Sequence, residues 1–151
     1  MSSSEEHSYE VNIAWKEGRI GTMDSPALDD KLDVATPPEF PGGVDGVWSP
    51  EHLFTASVSS CFLTSFTAVA EYSKFEFEDL KINSSGKMSR DENGKFVMSE
   101  VTIKATLTIS DEAKEKKAYR LLEKAEEICL ITRSIKADVI VVPVVKVEVA
   151  A

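Results

Sequence analysis

The sequence is poor in the residues that several common functions need. It has two cysteines and two histidines, and no CxxC, HxxxH or HExxH spacing brings metal ligands together. Its 17 basic residues are scattered and are outnumbered by 26 acidic ones, which gives a formal charge of -9. We therefore expect no metal and no bound cofactor, no nucleic acid partner and no binding to an anionic lipid surface.

Long apolar runs and targeting signals are missing as well. No apolar run approaches the roughly 20 residues of a membrane span, and the start MSSSEEHSYE is polar and acidic, unlike a signal peptide. The glycines match neither the GxxxxGK[ST] nor the GxGxxG spacing of phosphate-binding loops. The sequence thus predicts a cytoplasmic protein without a membrane partner, folded as a single domain over residues 1–151.

The hydrophobic pattern predicts an α+β domain. Alternating residues predict a hairpin over 8–15 and 19–23, a short strand over 31–34, two strands over 77–88 and 96–109, and a final strand over 139–149. Inward residues change parity within the 96–109 segment, which predicts a bulge near Ser99, and Pro143 predicts an edge position or a bulge in the last strand. The helices are expected on one face of a mostly antiparallel sheet.

The first predicted helix is the most strongly specified element. Ser49 is a good N-cap, Pro50 suits the first helical position, and Glu51 puts a carboxylate at the positive end of the helix dipole. Apolar residues cover more than one stripe from Pro50 to about Lys74, so this helix is expected to be buried on most sides.

Cys61 lies in the middle of this helix, and Cys129 lies near the end of a second, amphipathic helix that begins after Ser110 and Asp111. Free cysteine is among the most buried residue types, so inert core thiols are the plainer interpretation of both. Two helices packed on one sheet would nevertheless bring these faces together, and the sulfurs could then come within disulfide reach. The residues alone leave both interpretations open.

Arg19 and Glu51 also have a plain and a functional interpretation. Each can be a solvated surface charge, or the guanidinium can stabilise a cysteine thiolate while the carboxylate orients the guanidinium. Glu51 and Cys61 are separated by about 15 Å along a straight helix, so they need a bridging group, such as Arg19, or the Glu51 of a second subunit. A hydrolase that uses His52 is disfavoured, because no GxSxG motif is present.

Two stretches carry a resemblance to a known family. SPEHLFTASVSSCF (49–62) and AEEICLITRSIKADVIVVPVVKVEV (125–149), with the hairpin Arg19 and a proline- and glycine-rich loop before them, resemble the OsmC/Ohr family of osmotically induced and organic hydroperoxide resistance proteins. The resemblance spans nearly the whole chain. It implies an OsmC-like fold, in which long central helices pack on the sheet within an intertwined homodimer whose sites lie at the subunit interface.

The resemblance implies a thiol peroxidase for organic hydroperoxides. By position, Cys61 matches the cysteine that attacks the peroxide, Cys129 the cysteine that resolves the sulfenic acid to a disulfide, and Arg19 and Glu51 the charged pair that activates the thiolate. Reduction would come from an external dithiol, such as a lipoylated protein.

One position departs from the family pattern. Members commonly have proline directly after the resolving cysteine, whereas Leu130 stands here, so the end of the second helix is expected to differ. The alternative function is a dimeric, stress-associated protein that binds a small hydrophobic ligand and has no peroxidase turnover.

Overall fold

The structure is a computed structural model that describes residues 5–149; the chain divides into two compact units, with the boundary in the sequence between Leu53 and Phe54. The strands are β1 (Asn12–Glu17), β2 (Ile20–Asp24), β3 (Leu32–Ala35), β4 (Asp79–Arg90), β5 (Phe96–Ile109) and β6 (Asp138–Val147). The helices are α1 (Pro50–Tyr72), α2 (Glu115–Ile128) and α3 (Leu130–Ser134). The α+β class is confirmed; that the whole chain acts as one domain stays a prediction.

The first unit contains the predicted hairpin. β1, β2 and β3 form an antiparallel sheet in that order, and Gly18, with a φ of 51°, makes the turn between β1 and β2. Only a left-handed backbone closes such a tight turn, and glycine adopts it without strain. Arg19 follows directly, at the end of that turn.

The loop after β3 leads to a capped helix start. The Ala35 N–H donates to the Trp48 carbonyl at 2.9 Å, which holds the end of the loop beside β3. The buried Ser49 Oγ accepts from the backbone N–H of His52 at 3.1 Å. This bond satisfies one of the amide groups that a helix start leaves unpaired, so the predicted N-cap is confirmed.

The second unit holds a sheet of order β4-β5-β6. β4 and β5 are antiparallel, and their register shifts where Lys87 pairs with Glu100 and Met88 with Met98. Ser99 is therefore the extra residue of a bulge, as the change of parity predicted. β6 lies parallel to β5 at the sheet edge, where the missing N–H of Pro143 breaks no ladder bond to a further strand.

The core of the second unit lies between α1, α2 and this sheet. Five of the 23 residues of α1 are buried and form one stripe: Val58, Phe62, Phe66, Val69 and Ala70. They pack in one cluster with β5 residues such as Ile103 and Leu107. The expectation that α1 is buried on most sides is wrong for the single chain, because the cluster covers only this one stripe.

Glycine lets α1 approach β4 closely. A Cβ on Gly86 would clash with Thr55 Oγ1 and would come within 3.0 Å of Met98 Cε. Because the Thr55 Cβ is also only 3.2 Å from that place, a larger residue would require the Thr55 side chain to rotate or the helix to shift.

The second helical region is more broken than the sequence predicted. Asp111 accepts from the Ala113 N–H at 2.9 Å and begins a short 3₁₀ turn over 112–114, and α2 follows. α2 ends at Ile128, and Cys129 is extended, with φ -64° and ψ 110°, before α3 begins at Leu130. The sequence predicted Cys129 on the buried stripe of α2. The structure corrects this, because Cys129 lies at the junction between α2 and α3.

α1 is also, among residues 5–149, a helix long and apolar enough to cross a membrane by length and composition alone. Its mean hydropathy reaches 1.5 in a window of which 28% is buried. The expectation that no stretch is long and apolar enough for a span is therefore wrong for this helix by that measure. This is weak evidence for a span, because the core helix of a soluble protein passes the same test.

Candidate thiol site

The structure brings Cys61 and Cys129 together. Both belong to the second unit, and their side chains are hydrogen-bonded to each other. Cys61 is half-buried in α1, while Cys129 is 1% exposed at the α2–α3 junction. The two thiols are free, so the site as described is the reduced one.

Several donors converge on the Cys61 sulfur. Burial alone would raise the pKa of this thiol, but hydrogen bonds from the Ile131 N–H, the Cys129 side chain, the Ser65 hydroxyl and the Leu130 N–H oppose it. These bonds outweigh burial, so the pKa of Cys61 lies below its ordinary value. Because the thiolate is the nucleophilic form, Cys61 is the more reactive thiol.

Cys129 has the opposite electrostatics. Burial raises the pKa of its thiol, the side chain and N–H of Thr132 lower it, and the bond to Cys61 together with the charge of Cys61 raises it again. The net pKa lies above the ordinary value, so Cys129 keeps its proton and donates it towards the Cys61 sulfur. The pair thus consists of Cys61, whose pKa is lowered, and Cys129, whose pKa is raised.

The donors come from a local feature of the chain. Because α3 begins directly after Cys129, its first amide groups have no carbonyl partner within the helix, and they point at the two sulfurs instead. The first bond of α3 itself runs from the Arg133 N–H to the Cys129 carbonyl at 3.2 Å. The break between α2 and α3 therefore supplies the N–H groups that a continuous helix would use internally.

Arg19 and Glu51 belong to the first unit. The exposed Arg19 side chain lies over Gly42, with its Nε 3.2 Å from the place that a Cβ would occupy there. Glu51 lies in the first turn of α1, and its Oε1 is buried. Their role in the chemistry of the thiols stays a prediction.

His52 lies at a cleft within the first unit. The cleft has a volume of about 430 Å³, and its other lining residues are Pro38, Glu39, Asp45, Gly46, Val47 and Trp48. His52 Nδ1 is 2.7 Å from the Ser49 Oγ, which is fully buried. Ser49 is thus a helix cap.

Sequence reasoning missed the groups that act on the two sulfurs. Ser65 had a usable signal, since it follows Cys61 by four residues and so lies on the same face of α1. The amide groups of Leu130, Ile131 and Thr132 had none, because a helix of five residues leaves no periodic pattern. Within residues 5–149, no group of three or more His, Cys, Asp or Glu could hold a metal ion.

Comparison with known proteins identifies the family. The model of the family described as OsmC-like protein matches residues 43–143, a range that includes α1 with Cys61 and the α2–α3 junction with Cys129. This chain belongs to the OsmC-like family. The match covers residues 49–62 and most of 125–149, on which the resemblance was based, but Arg19 lies outside it.

Individual relatives are distant but match over nearly their whole length. The chain is 25% identical to Uncharacterized protein YmaD of Bacillus subtilis (strain 168), covering 89% of this chain and 90% of that protein. It is 23% identical to Organic hydroperoxide resistance protein-like 2 of Staphylococcus epidermidis, covering 87% and 90%. A crystal structure from Legionella pneumophila, described as an organic hydroperoxide resistance protein OsmC and predicted redox protein, superposes with a TM-score of 0.74 at 28% identity, covering 95% and 100%.

Proposed function

We propose that this protein is a thiol peroxidase that reduces organic hydroperoxides with Cys61 and Cys129. The observation that carries the proposal is the contact between Cys61, whose thiol has a lowered pKa, and Cys129, whose thiol has a raised pKa. Two relatives named for organic hydroperoxide resistance support the choice of oxidant.

The first step is the attack of Cys61. Its thiolate attacks the outer oxygen of the hydroperoxide, a sulfur–oxygen bond forms, and the weak O–O bond breaks. Cys61 becomes a sulfenic acid and the peroxide leaves as an alkoxide, which has taken both electrons. The proton that Cys129 holds next to Cys61 then passes to the alkoxide and releases an alcohol.

The second step uses the Cys129 thiolate that this transfer leaves behind. Hydrogen bonds from the Thr132 side chain and N–H stabilise that thiolate. It attacks the sulfenic sulfur of Cys61, a disulfide forms, and hydroxide leaves and is protonated to water. An external dithiol, such as a lipoylated protein, then reduces the disulfide and is itself oxidised to a disulfide.

Arg19 and Glu51 complete the proposed chemistry. A guanidinium near the departing oxygen stabilises the charge that develops there, and a carboxylate that pairs with the guanidinium fixes its direction. We assign the first role to Arg19 and the second to Glu51. Apolar side chains close to the thiols in sequence, the exposed Leu63, Ile128 and Leu130, favour an organic peroxide over hydrogen peroxide.

We also propose a homodimer. α1 is apolar along most of its length, but only 28% of its most apolar window is buried within one chain. In the first unit, four apolar residues at alternating positions are exposed: Tyr9, Val11, Ile13 and Trp15. Soluble proteins rarely leave such surfaces uncovered, and a second copy of the chain would cover both. We also propose a reducing, cytoplasmic location, since the chain has only two cysteines and both are given catalytic roles.

The test is turnover of tert-butyl hydroperoxide with dihydrolipoamide as the dithiol. Cys61→Ser is expected to lose all turnover, because no thiolate remains to attack. Cys129→Ser is expected to keep the attack on the first equivalent of peroxide but to lose dithiol-dependent recycling. Equal rates for both variants and the unmodified protein would reject the proposal and favour the binding of a small hydrophobic ligand.

A further inference from the structure

Ser65 differs from its neighbours in α1 in the partner of its hydroxyl. Most hydroxyl side chains of this helix donate to a backbone carbonyl three or four residues earlier, as do those of Ser57, Ser59, Ser60, Thr64 and Thr67. Such bonds are the usual choice for a serine or threonine within a helix. The Ser65 hydroxyl instead bonds to the Cys61 sulfur.

The position of Ser65 explains this contact. It follows Cys61 by one helical turn, which puts the two side chains next to each other on the same face of α1. Both residues are half-buried, so the bond is partly shielded from water. Phe62 and Phe66, one residue further along the helix in each case, are buried in the core and fix the direction of this face.

The groups around the Cys61 sulfur determine the direction of the hydrogen bonds to it. The amide groups of Ile131 and Leu130 can only donate, so they require the Cys61 sulfur to act as an acceptor. The remaining donors are the Cys129 thiol and the Ser65 hydroxyl. In the proposed reaction Cys129 gives up its proton, after which Ser65 is the remaining side-chain donor of this set.

We propose that Ser65 is a positioning residue of the thiol site, whose hydroxyl donates to the Cys61 sulfur and favours its thiolate form before the attack on the peroxide. This inference rests on the proposed function, because it gives Ser65 a part in the reaction of Cys61. It adds to that function a residue outside the cysteine pair and the two charged groups.

The test compares Ser65→Ala with Ser65→Thr, which keeps the hydroxyl. The readout is the rate at which iodoacetamide alkylates Cys61 across a range of pH, with the two cysteines separated by peptide mass spectrometry. For Ser65→Ala, loss of one hydrogen bond of about 1 kcal/mol predicts an approximately fivefold slower reaction below the midpoint, a midpoint at higher pH and an unchanged plateau. Ser65→Thr is expected to restore most of the rate.

Ser60→Ala is the matched control, because its hydroxyl is exposed and donates to the Ser57 carbonyl at 3.3 Å on the same helix. It should follow the unmodified profile. A Ser65→Ala profile that superposes on the unmodified one would overturn the inference, and so would a Ser65→Thr variant as slow as Ser65→Ala.

Because alkylation needs no peroxide, the two proposals fail separately. If the unmodified protein turns over peroxide and the pH profile of Cys61 alkylation is unchanged in Ser65→Ala, only the role of Ser65 is rejected. A shifted profile in a protein that never consumes peroxide would reject the peroxidase, while the hydrogen bond from Ser65 would stand as an account of thiol reactivity.

Discussion

Replacing Leu130 with proline is a clean way to remove one donor from the Cys61 sulfur. Leu130 is the first residue of α3, a position that accepts proline because its N–H has no partner within the helix. The preceding Cys129, at φ -64° and ψ 110°, already has the extended backbone that a following proline requires. Since the Leu130 side chain is 65% exposed, its loss removes little packing.

The size of the effect follows from the set of donors. A hydrogen bond to a charged group contributes about 1.5–3 kcal/mol. The Leu130 N–H is the weakest of the four donors to a half-buried sulfur, so we take about 1 kcal/mol or less. Since 1.4 kcal/mol is a factor of ten, Leu130→Pro should slow Cys61 alkylation up to about fivefold below the midpoint of the pH profile.

The assay is again site-resolved alkylation across pH, with Leu130→Ala as the control that loses the same side chain but keeps the N–H. Leu130→Ala should match the unmodified protein, and Leu130→Pro should reach the same plateau at higher pH. Thermal unfolding should show Leu130→Pro to be slightly less stable, since the folded state loses the bond from the Leu130 N–H and the restriction that proline puts on the unfolded chain offsets only part of that loss. Identical profiles for the two variants would refute the role of the α3 amide groups.

Two further predictions concern stability and assembly. Burial and the charges of Glu123 and Glu127 raise the pKa of Glu126, so the stabilisation from its protonated form is present below the unfolded pKa and is lost as the pH rises through the folded one. Glu126→Gln should therefore raise the melting temperature by about 1–2 °C at pH 7 and leave it unchanged near pH 3. The control Glu92→Gln, at an exposed position, should leave the melting temperature unchanged at both pH values. A lower melting temperature of Glu126→Gln at pH 7 would contradict the prediction. Ile13→Lys puts a charge in the exposed stripe of β1 and should shift light scattering from twice the chain mass towards the chain mass, unlike Glu126→Gln; an unchanged dimer would show that β1 is not in the interface.

Local patterns in the sequence were enough to predict much of the fold. The N-cap of α1, the bulge at Ser99 and the edge position of Pro143 each depend on residues close together in the chain, and the structure confirms all three. Such features follow from backbone chemistry and from the alternation of inward residues, so no long-range contact is needed to predict them.

Features that depend on long-range pairing were not predicted. Nothing in the alternating segments indicates that the strands separate into two sheets or that β5 and β6 are parallel, because both depend on which strands meet. From the sequence, we expected only that the end of the second helix would differ at Leu130. That the break after Ile128 directs amide groups at the Cys61 sulfur depends on the contact between α1 and α3. Contacts between residues distant in sequence decide these points.

The most direct test of the account is the product of one peroxide treatment. The reduced protein is treated with one equivalent of tert-butyl hydroperoxide, alkylated and weighed intact. The account predicts the loss of both alkylation sites, a mass lower by two hydrogens, and a peptide that links Cys61 to Cys129. Two thiols that remain fully alkylatable after excess peroxide would contradict it.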